Sequence, residues 1–329
     1  MTSRSRTTDT APGRIPRVAV VTVTFNAAPF IEPFLIAVKD LHYPQLEVVI
    51  VDNASHDETT GLIARLLPRA VLIRSPRNLG FAAACNLGAE CAGGDVLLFL
   101  NPDTRPPPDA VEALCATIWH SPEIGAAGSK LVFPDGRIQR IGGALGPNGI
   151  ASHPGWGEPD RGQYDRPADV DYVPGAALAI RRSLFLALGG FHTGYFPGFY
   201  EDTELCLRLR ERGLRVCYVP TPRIAHLESP SMGRRTAYWL HRNRMLFLAR
   251  NPSARAGIGR EIRWLSATHV MPIVRALVGG HPRSFAREAR LLAGVIAGMA
   301  AGGLAVLRAR RGGRILSRPP HLPAGVASG

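Results

Sequence analysis

Four apolar runs, each closing on polar residues, set the rhythm of the first hundred positions. Val18–Phe25 (VAVVTVTF) ends at Asn26, and Gln45–Asp52 (QLEVVIVD) ends in the polar turn Asn53–Asp57. Ala70–Ser75 (AVLIRS) leads into Arg77-Asn78, and Asp95–Leu100 (DVLLFL) closes on Asn101-Pro102-Asp103. Helical spacing fills the gaps, around Ile31–Leu41, Glu58–Leu67 and Gly80–Ala92. Strands that are apolar throughout, separated by helices, predict a mostly parallel sheet buried on both faces. Sheets of this kind bind ligands at the carboxyl ends of their strands. Those ends carry Thr24-Phe25-Asn26, Asp52-Asn53, Arg77-Asn78 and Asn101-Pro102-Asp103, so the pattern alone converges polar groups on one edge.

The rhythm then changes twice. Residues 130–171 are rich in Gly, Pro and Asp and read as long loops with short strands, the composition of a lid or substrate wall. Tyr172–Arg182 predicts a return strand, Ser183–Leu188 a short helix, Glu201–Arg212 a helix stopped by Gly213, and Arg215–Val219 a further strand. Past Ser231 the spacing is helical: Arg235–Arg250, Arg260–Val278 with a kink at Pro272, and Ser284–Arg311. Leu291–Leu307 holds 17 uncharged residues followed by Arg308, Arg310, Arg311 and Arg314. A span needs about 20 apolar residues, so a helix lying in a membrane interface suits this segment better. A helix packed on the domain is the other reading of the same pattern.

Composition sharpens this picture. The chain has 329 residues, 46% hydrophobic and 20% charged, enough to bury a large core. Its five Cys show no CxxC pair, which argues against a disulfide framework or structural zinc and favours a reducing compartment. The formal net charge of +13 is unevenly placed: residues 1–232 carry 22 Lys+Arg against 24 Asp+Glu, and residues 233–329 carry 17 against 2. A near-neutral front unit with a basic tail suggests a catalytic or binding domain with an electrostatic anchor. Residues 1–17 are polar and basic without an apolar stretch, which predicts a disordered leader rather than a signal peptide. The expected organisation is therefore leader 1–17, an α/β domain over 18–232, and a basic helical region over 233–329.

Three groups of residues could carry chemistry. Asp103 stands at the sheet's carboxyl edge, where it serves either as a turn residue or as a metal ligand. Glu201 and Asp202 precede an amphipathic helix and follow the aromatic loop Gly194–Tyr200; they either complement the helix dipole or supply a general base. His226 lies beyond a strand and a Pro-rich turn, and a single histidine there carries no assignment by itself.

Taken in order, these segments resemble the family 2 glycosyltransferases of GT-A fold, in particular the bacterial rhamnosyltransferase-like subgroup. The matching stretches are VVTVTFNA (20–27), VVIVDNASHD (48–57), NLGFAAACNLGA (78–89), LFLNPDT (98–104), VPGAALAIRR (173–182), GGFHTGYFPGFYEDTELCLRLRERG (189–213) and RIAH (223–226). They run in the family's order over about 210 residues, and the basic last third is not covered with comparable force. The resemblance implies a Rossmann-like GT-A domain with a mostly parallel sheet flanked by helices. It implies that Thr24, Phe25, Asn26, Asp52 and Asn53 hold the donor's base and ribose, and that Asn78, Gly80 and Asn86 close over the nucleotide. Asn101 and Asp103 match the Asp-x-Asp motif, whose last carboxylate binds Mg²⁺ or Mn²⁺ on the donor diphosphate; Asn at the first position removes one charge. His226 matches a further metal ligand in some relatives, Gly175 and Ala176 match a turn facing sugar and acceptor, and Asp202 matches the catalytic base with Glu201 beside it. His192 stands where relatives often have Asp and receives no role.

The expected activity is an inverting, metal-assisted transfer of a sugar from a nucleotide-diphosphate donor, dTDP-rhamnose or a UDP-sugar, to a saccharide or lipid-linked acceptor in cell-surface polysaccharide synthesis. The basic tail adds peripheral contact with anionic membrane at the cytoplasmic face. A sugar-nucleotide-binding scaffold without turnover is the alternative, disfavoured because a degenerate domain has no need of both Asp103 and Glu201-Asp202. A nucleotidyltransferase would need a Gly-rich basic loop after the first strand and a dehydrogenase would need GxGxxG there; VTFNAAPF has neither. No nucleic-acid-binding module accompanies the Arg-rich tail. Oligomeric state leaves no mark in the sequence.

Overall fold

The computed structural model of the chain describes residues 14–146, 149–227 and 236–251, with a few isolated positions beyond. The alternation read above appears as β1 (Val18–Thr24), α1 (Ile31–Lys39), β2 (Leu46–Asp52), α2 (Thr59–Leu66), β3 (Val71–Arg74), α3 (Phe81–Cys91) and β4 (Val96–Leu100). Strands β1, β2, β3 and β4 pair in parallel, with β1 central between β2 and β4. Both faces of β1 are buried because helices cover each side. Val18 and Val20 pack with Phe34 and Leu35 of α1, whereas Ala19 and Val21 pack with Ala84 and Cys85 of α3. That double burial explains a run of seven apolar or small residues without alternation.

Beyond β4 come β5 (Thr104–Arg105), α4 (Ala110–His120), β6 (Ile124–Val132), β7 (Ile138–Arg140), β8 (Ala144–Leu145), β9 (Ala151–Ser152) and β10 (Ala168–Asp169). The chain continues through β11 (Ala177–Arg181), α5 (Arg182–Ala187), α6 (Glu201–Arg210), β12 (Arg215–His226) and α7 (Thr236–Arg250). The sheet runs β10-β12-β6-β11-β4-β1-β2-β3, with β5 on β12 and β7 on β6; β8 and β9 form a separate pair. Strand β11 is the return strand, antiparallel to both β4 and β6. The GT-A expectation of a mostly parallel sheet between helices is met, with β11 the antiparallel insertion at its centre.

Several boundaries differ from the sequence reading. Residues 104–129 contain α4 and most of β6, a strand almost wholly buried yet built of IGAAGSKLV, whose small residues mask its strand character. Strand β12 does not stop at Val219; it continues to His226 through a register shift between Val219 and Arg223. Residues 14–17, placed with the disordered leader, are tied down instead: Asp95 accepts from the Arg14 guanidinium at 2.8 Å and from the Arg17 backbone N–H at 2.8 Å. Helix α7, read as the start of the basic extension, contributes Leu246, Phe247 and Leu248 to a buried cluster with Tyr195 and Tyr200 of the loop before α6. The expected helices Arg260–Val278 and Ser284–Arg311, including Pro272 and nearly all of 291–307, lie outside the described residues. Among the described residues no helix is long and apolar enough to cross a membrane.

Candidate active site

The carboxyl ends of β1 and β2 are knitted to each other. The Thr24 hydroxyl donates to Asp52 Oδ1 at 3.0 Å, and Asp52 Oδ2 accepts the Ser55 N–H at 3.1 Å. Asp52 is 1% exposed, so it fixes the loop, whereas Phe25 at 42% exposed presents a face outward. Asn26 holds a left-handed backbone (φ 47), its N–H donates to Ser55 Oγ, and its side-chain oxygen accepts from His56 N–H. Asn tolerates that conformation better than most residues. Two residues absent from the sequence expectations, Asp57 and Thr59, accept the N–H groups of Ala28 and Ala27 and complete the turn.

Asn53 reaches the neighbouring loop. Its amide donates to Asn78 Oδ1 (3.1 Å) and to the Gly80 carbonyl (3.3 Å), and its oxygen accepts the Leu79 N–H (2.8 Å). Gly80 stands at φ 79, ψ 171 before α3, a region essentially restricted to glycine. It lies under the Phe196–Pro197 segment, whose Pro197 carbonyl accepts the Phe81 N–H at 2.8 Å. Asn86 faces away from this group: its amide donates to the Phe191 carbonyl and its oxygen accepts the Phe191 N–H, both at 2.8 Å. It ties α3 to the loop before α6.

The end of β4 meets the end of β12 because β5 pairs antiparallel with it, Thr104 opposite His226. This register sets His226 Nε2 3.2 Å from Asp103 Oδ1, with Asp103 at 5% exposed and His226 at 9%. Gln139 on β7, unmarked in the sequence, fixes the imidazole. Its Nε2 donates to the His226 carbonyl at 3.2 Å, which turns its Oε1 toward His226 Nδ1 at 2.6 Å. Nδ1 then carries a proton donated to Gln139 Oε1, and Nε2 is the ring nitrogen turned toward Asp103, the arrangement that second-shell partners impose on metal-ligating histidines. Asn101 Oδ1 is buried nearby in sequence without a hydrogen-bond partner. A lone pair, a carboxylate and an unpartnered carbonyl oxygen are all acceptors, a donor set that fits a small divalent cation. No cluster of three or more His, Cys, Asp or Glu occurs among the described residues.

The Gly175–Ala176 turn joins this group to the head of α6. The Ala176 carbonyl accepts the Asn101 N–H at 3.1 Å, and Asp202 Oδ2 accepts the Gly175 N–H at 2.8 Å. A Cβ at Gly175 would lie 3.1 Å from the Phe81 ring and 3.7 Å from Asp202 Cβ, so the first turn of α3, the Gly175 turn and the carboxylate are neighbours. Asp202 Oδ1 accepts from Thr203 N–H at 2.6 Å. Burial raises the Asp202 carboxyl above its usual range, although the Gly175 and Thr203 hydrogen bonds pull it back. Glu201 is pushed well above that range, by burial and by the charge of Asp202, and its Oε2 has no partner. The preceding Phe199 and Tyr200 both have φ 76, a left-handed pair that turns the chain sharply into α6. Asn243 of α7, fully buried, holds that turn by donating to the carbonyls of Tyr195, Gly198 and Phe199.

The sequence profile described as "Glycosyl transferase family 2" matches residues 19–185, half of the chain and the part containing β1 to β11. The chain belongs to glycosyl transferase family 2. A segment of 227 residues is 34% identical to the O-antigen biosynthesis protein RfbC of Myxococcus xanthus, covering 66% of this chain but 18% of that protein, so the chain spans about a fifth of this relative. Over 259 residues it is 30% identical to the N-acetylglucosaminyl-diphospho-decaprenol L-rhamnosyltransferase of Mycobacterium tuberculosis, covering 70% of this chain and 83% of that enzyme. Among solved structures, the mannosyltransferase PcManGT of Pyrobaculum calidifontis, with GDP-Man and Mn²⁺, superposes with a TM-score of 0.57 at 22% identity over 92% of this chain and 89% of that one. GalNAc-T7 with UDP, GalNAc and Mn²⁺ gives the same TM-score at 18% identity over 72% of this chain and 48% of that one. These likenesses show the GT-A fold. Within this family 2 domain, the residues matched by motif fall into the two clusters joined by the Gly175–Ala176 turn, with Asn86 set apart from both.

Proposed function

We propose that the protein is an inverting glycosyltransferase that moves a sugar from a nucleoside-diphosphate donor to a hydroxyl of a saccharide or lipid-linked acceptor. The observation that carries this reading is Asp202: half-buried at the head of α6, oriented by the Gly175 and Thr203 N–H groups, with a carboxyl made more basic by burial. A hydroxyl is a poor nucleophile near neutrality, and a carboxylate within hydrogen-bond reach removes its proton as attack proceeds. The acceptor oxygen forms the new bond to the anomeric carbon, its proton passes to Asp202, and the carbon–oxygen bond to the diphosphate breaks with its electron pair leaving on the nucleotide. Attack opposite the leaving group inverts the anomeric centre. Phe25, Asn26 and the Asn53–Asn78–Gly80 network border the donor's nucleoside. Asp103 and His226, with Gln139 orienting the imidazole, would hold Mg²⁺ or Mn²⁺, which supplies positive charge to the departing diphosphate.

The donor proposed is dTDP-rhamnose or a UDP-sugar; the rhamnosyltransferase relative at 30% identity supports a rhamnosyl donor and a role in cell-surface glycan assembly. The 17 basic residues after position 232 support peripheral binding to anionic lipid at the inner face of the membrane. The test is Asp202→Asn. Transfer should fall at least about a hundredfold with donor binding retained, and the wild-type product should show inverted configuration by NMR. Near-normal turnover or retained configuration overturns the mechanism, and nucleotide binding without turnover on any donor and acceptor panel restores the scaffold reading. Vesicle co-sedimentation unchanged by deletion of residues 284–329 removes the membrane reading.

A further inference from the structure

The side of the sheet beyond β6 carries an aromatic surface that the donor chemistry does not use. Trp156 is 44% exposed although it is heavily contacted. Phe133 meets it edge-on at 4.9 Å between ring centroids, the Arg140 guanidinium lies 4.0 Å from its ring centre, and the His153 ring lies at 6.2 Å. Single exposed apolar residues are ordinary. An exposed indole set among a second ring, a cation and an imidazole is a shaped surface. The loop presenting it is firmly held. Backbone bonds join Gly157 and Glu158 to Ile138, and the fully buried Lys130 pairs with Asp160 and Asp165, which Arg223 also engages. Anchoring of this kind pre-organises a loop for binding.

The surface connects to the base. His153 Nδ1 and the Tyr172 hydroxyl are 2.8 Å apart, and Tyr172 is three residues before Gly175, whose N–H holds Asp202. Three residues of chain span at most about 10 Å. The donor residues lie at β1 to β3, on the other side of β4. We propose that Trp156, Phe133, Arg140 and His153 form a saccharide-binding subsite for the acceptor, continuous through Tyr172 with Asp202. This deepens the glycosyltransferase reading and rests on it. The C–H face of a pyranose ring is apolar and stacks on an indole, while its rim of hydroxyls needs the hydrogen-bonding groups that Arg140 and His153 offer. Burial, aided by the Arg140 charge, lowers His153 to about 4, so the ring is neutral near pH 7. One ring nitrogen of His153 is engaged by the Tyr172 hydroxyl, and the other, Nε2, is left to donate to or accept from a sugar hydroxyl according to the tautomer.

Saturation-transfer NMR on the full chain, with methyl α-L-rhamnoside, methyl β-N-acetylglucosaminide and methyl β-galactoside as probes, tests the subsite. Transfer to the ring protons of at least one glycoside is expected. Trp156→Ala should weaken it about five- to tenfold, the range set by one aromatic stacking contact, and Trp156→Phe should retain part of it. Thermal shift with UDP or dTDP plus Mn²⁺ is read on the same samples. Glycoside transfer undiminished in Trp156→Ala, or no transfer from any probe while nucleotide binds, overturns the subsite and leaves the glycosyltransferase reading intact. Loss of folding in Trp156→Ala passes the decision to Trp156→Phe and Arg140→Ala, where unchanged transfer in both overturns the proposal. No shift with either nucleotide counts against the glycosyltransferase reading itself.

Discussion

Gly80→Ala isolates the cost of the backbone turn that leads from the Asn53–Asn78 network into α3. The new methyl group meets two obstacles. First, φ 79 with ψ 171 lies in a region that non-glycine residues occupy at a cost of about 1–3 kcal/mol. Second, an ideal Cβ would sit 2.7 Å from the Phe196 ring and 3.3 Å from the Pro197 carbonyl oxygen. The two contacts differ in how they can give way. Phe196 is 40% exposed, so its ring can swing aside for less than about 1 kcal/mol, below the usual cost of overpacking a closed core. The Pro197 carbonyl cannot, because it accepts the Phe81 N–H at 2.8 Å. Strain therefore dominates, and the variant should lose about 2–4 kcal/mol in urea denaturation with an unchanged m-value. Nucleotide binding should weaken as well, since Asn53 and Asn78 bond to Gly80 directly. The double variant Gly80→Ala/Phe196→Ala should recover no more than about 1 kcal/mol, the steric share. Full rescue by Phe196→Ala, or a Gly80→Ala protein within about 0.5 kcal/mol of wild type, would refute the assignment to backbone strain.

Asn243→Ala should destabilise by on the order of 3 kcal/mol, because two buried carbonyls and a part-buried one lose their shared donor; it should also lower the transfer rate more than donor affinity, as denaturation and steady-state kinetics will show. Glu201→Gln should raise stability at pH 7. The folded carboxyl binds its proton more tightly than the unfolded chain does, so stability falls as pH climbs from the ordinary Glu value through the raised folded one. The Gln protein should lack that slope, and melting points at pH 5 and pH 8 decide it. Asp103→Asn should leave the melting point of the free protein nearly unchanged and abolish the Mn²⁺-dependent part of its stabilisation by nucleotide; an intact metal increment would remove Asp103 from the cation site.

The legible parts of the molecule are those where one local signal sufficed. Runs such as VAVVTVT and VLLFL declare buried parallel strands because both faces are covered, and the polar residues closing them lie at the edge where ligands bind. Glu201-Asp202 was visible from its place before a helix. Strand β6 was hidden because its close packing selects Gly, Ala and Ser, which carry weak strand propensity. Gln139 and Asn243 were invisible for a different reason. Each matters through partners 87 and between 44 and 48 residues away, and no periodicity records such a contact. Asn86, which the family resemblance sets with the nucleotide segment, makes a bond no local pattern records: its amide is spent on Phe191, 105 residues away.

The segment Gly194–Tyr200 ties the Gly80 turn to the start of α6. Its Pro197 carbonyl receives the first N–H of α3, and Phe196 lies over Gly80; two residues later the left-handed pair Phe199-Tyr200 sets the direction of α6 and hence of Asp202. The segment leaves the core between α5 and α6. It is α7 that holds it: Asn243 through three carbonyls, Arg242 through the Gly194 carbonyl, and the Arg250–Glu204 ion pair at 3.0 Å clamping the first turn of α6. Glu204 is 2% exposed, so removing its partner would leave a buried charge uncompensated, an effect of about 3–5 kcal/mol. The first helix after position 232 is therefore packed into the α/β domain and fixes the segment that leads into α6.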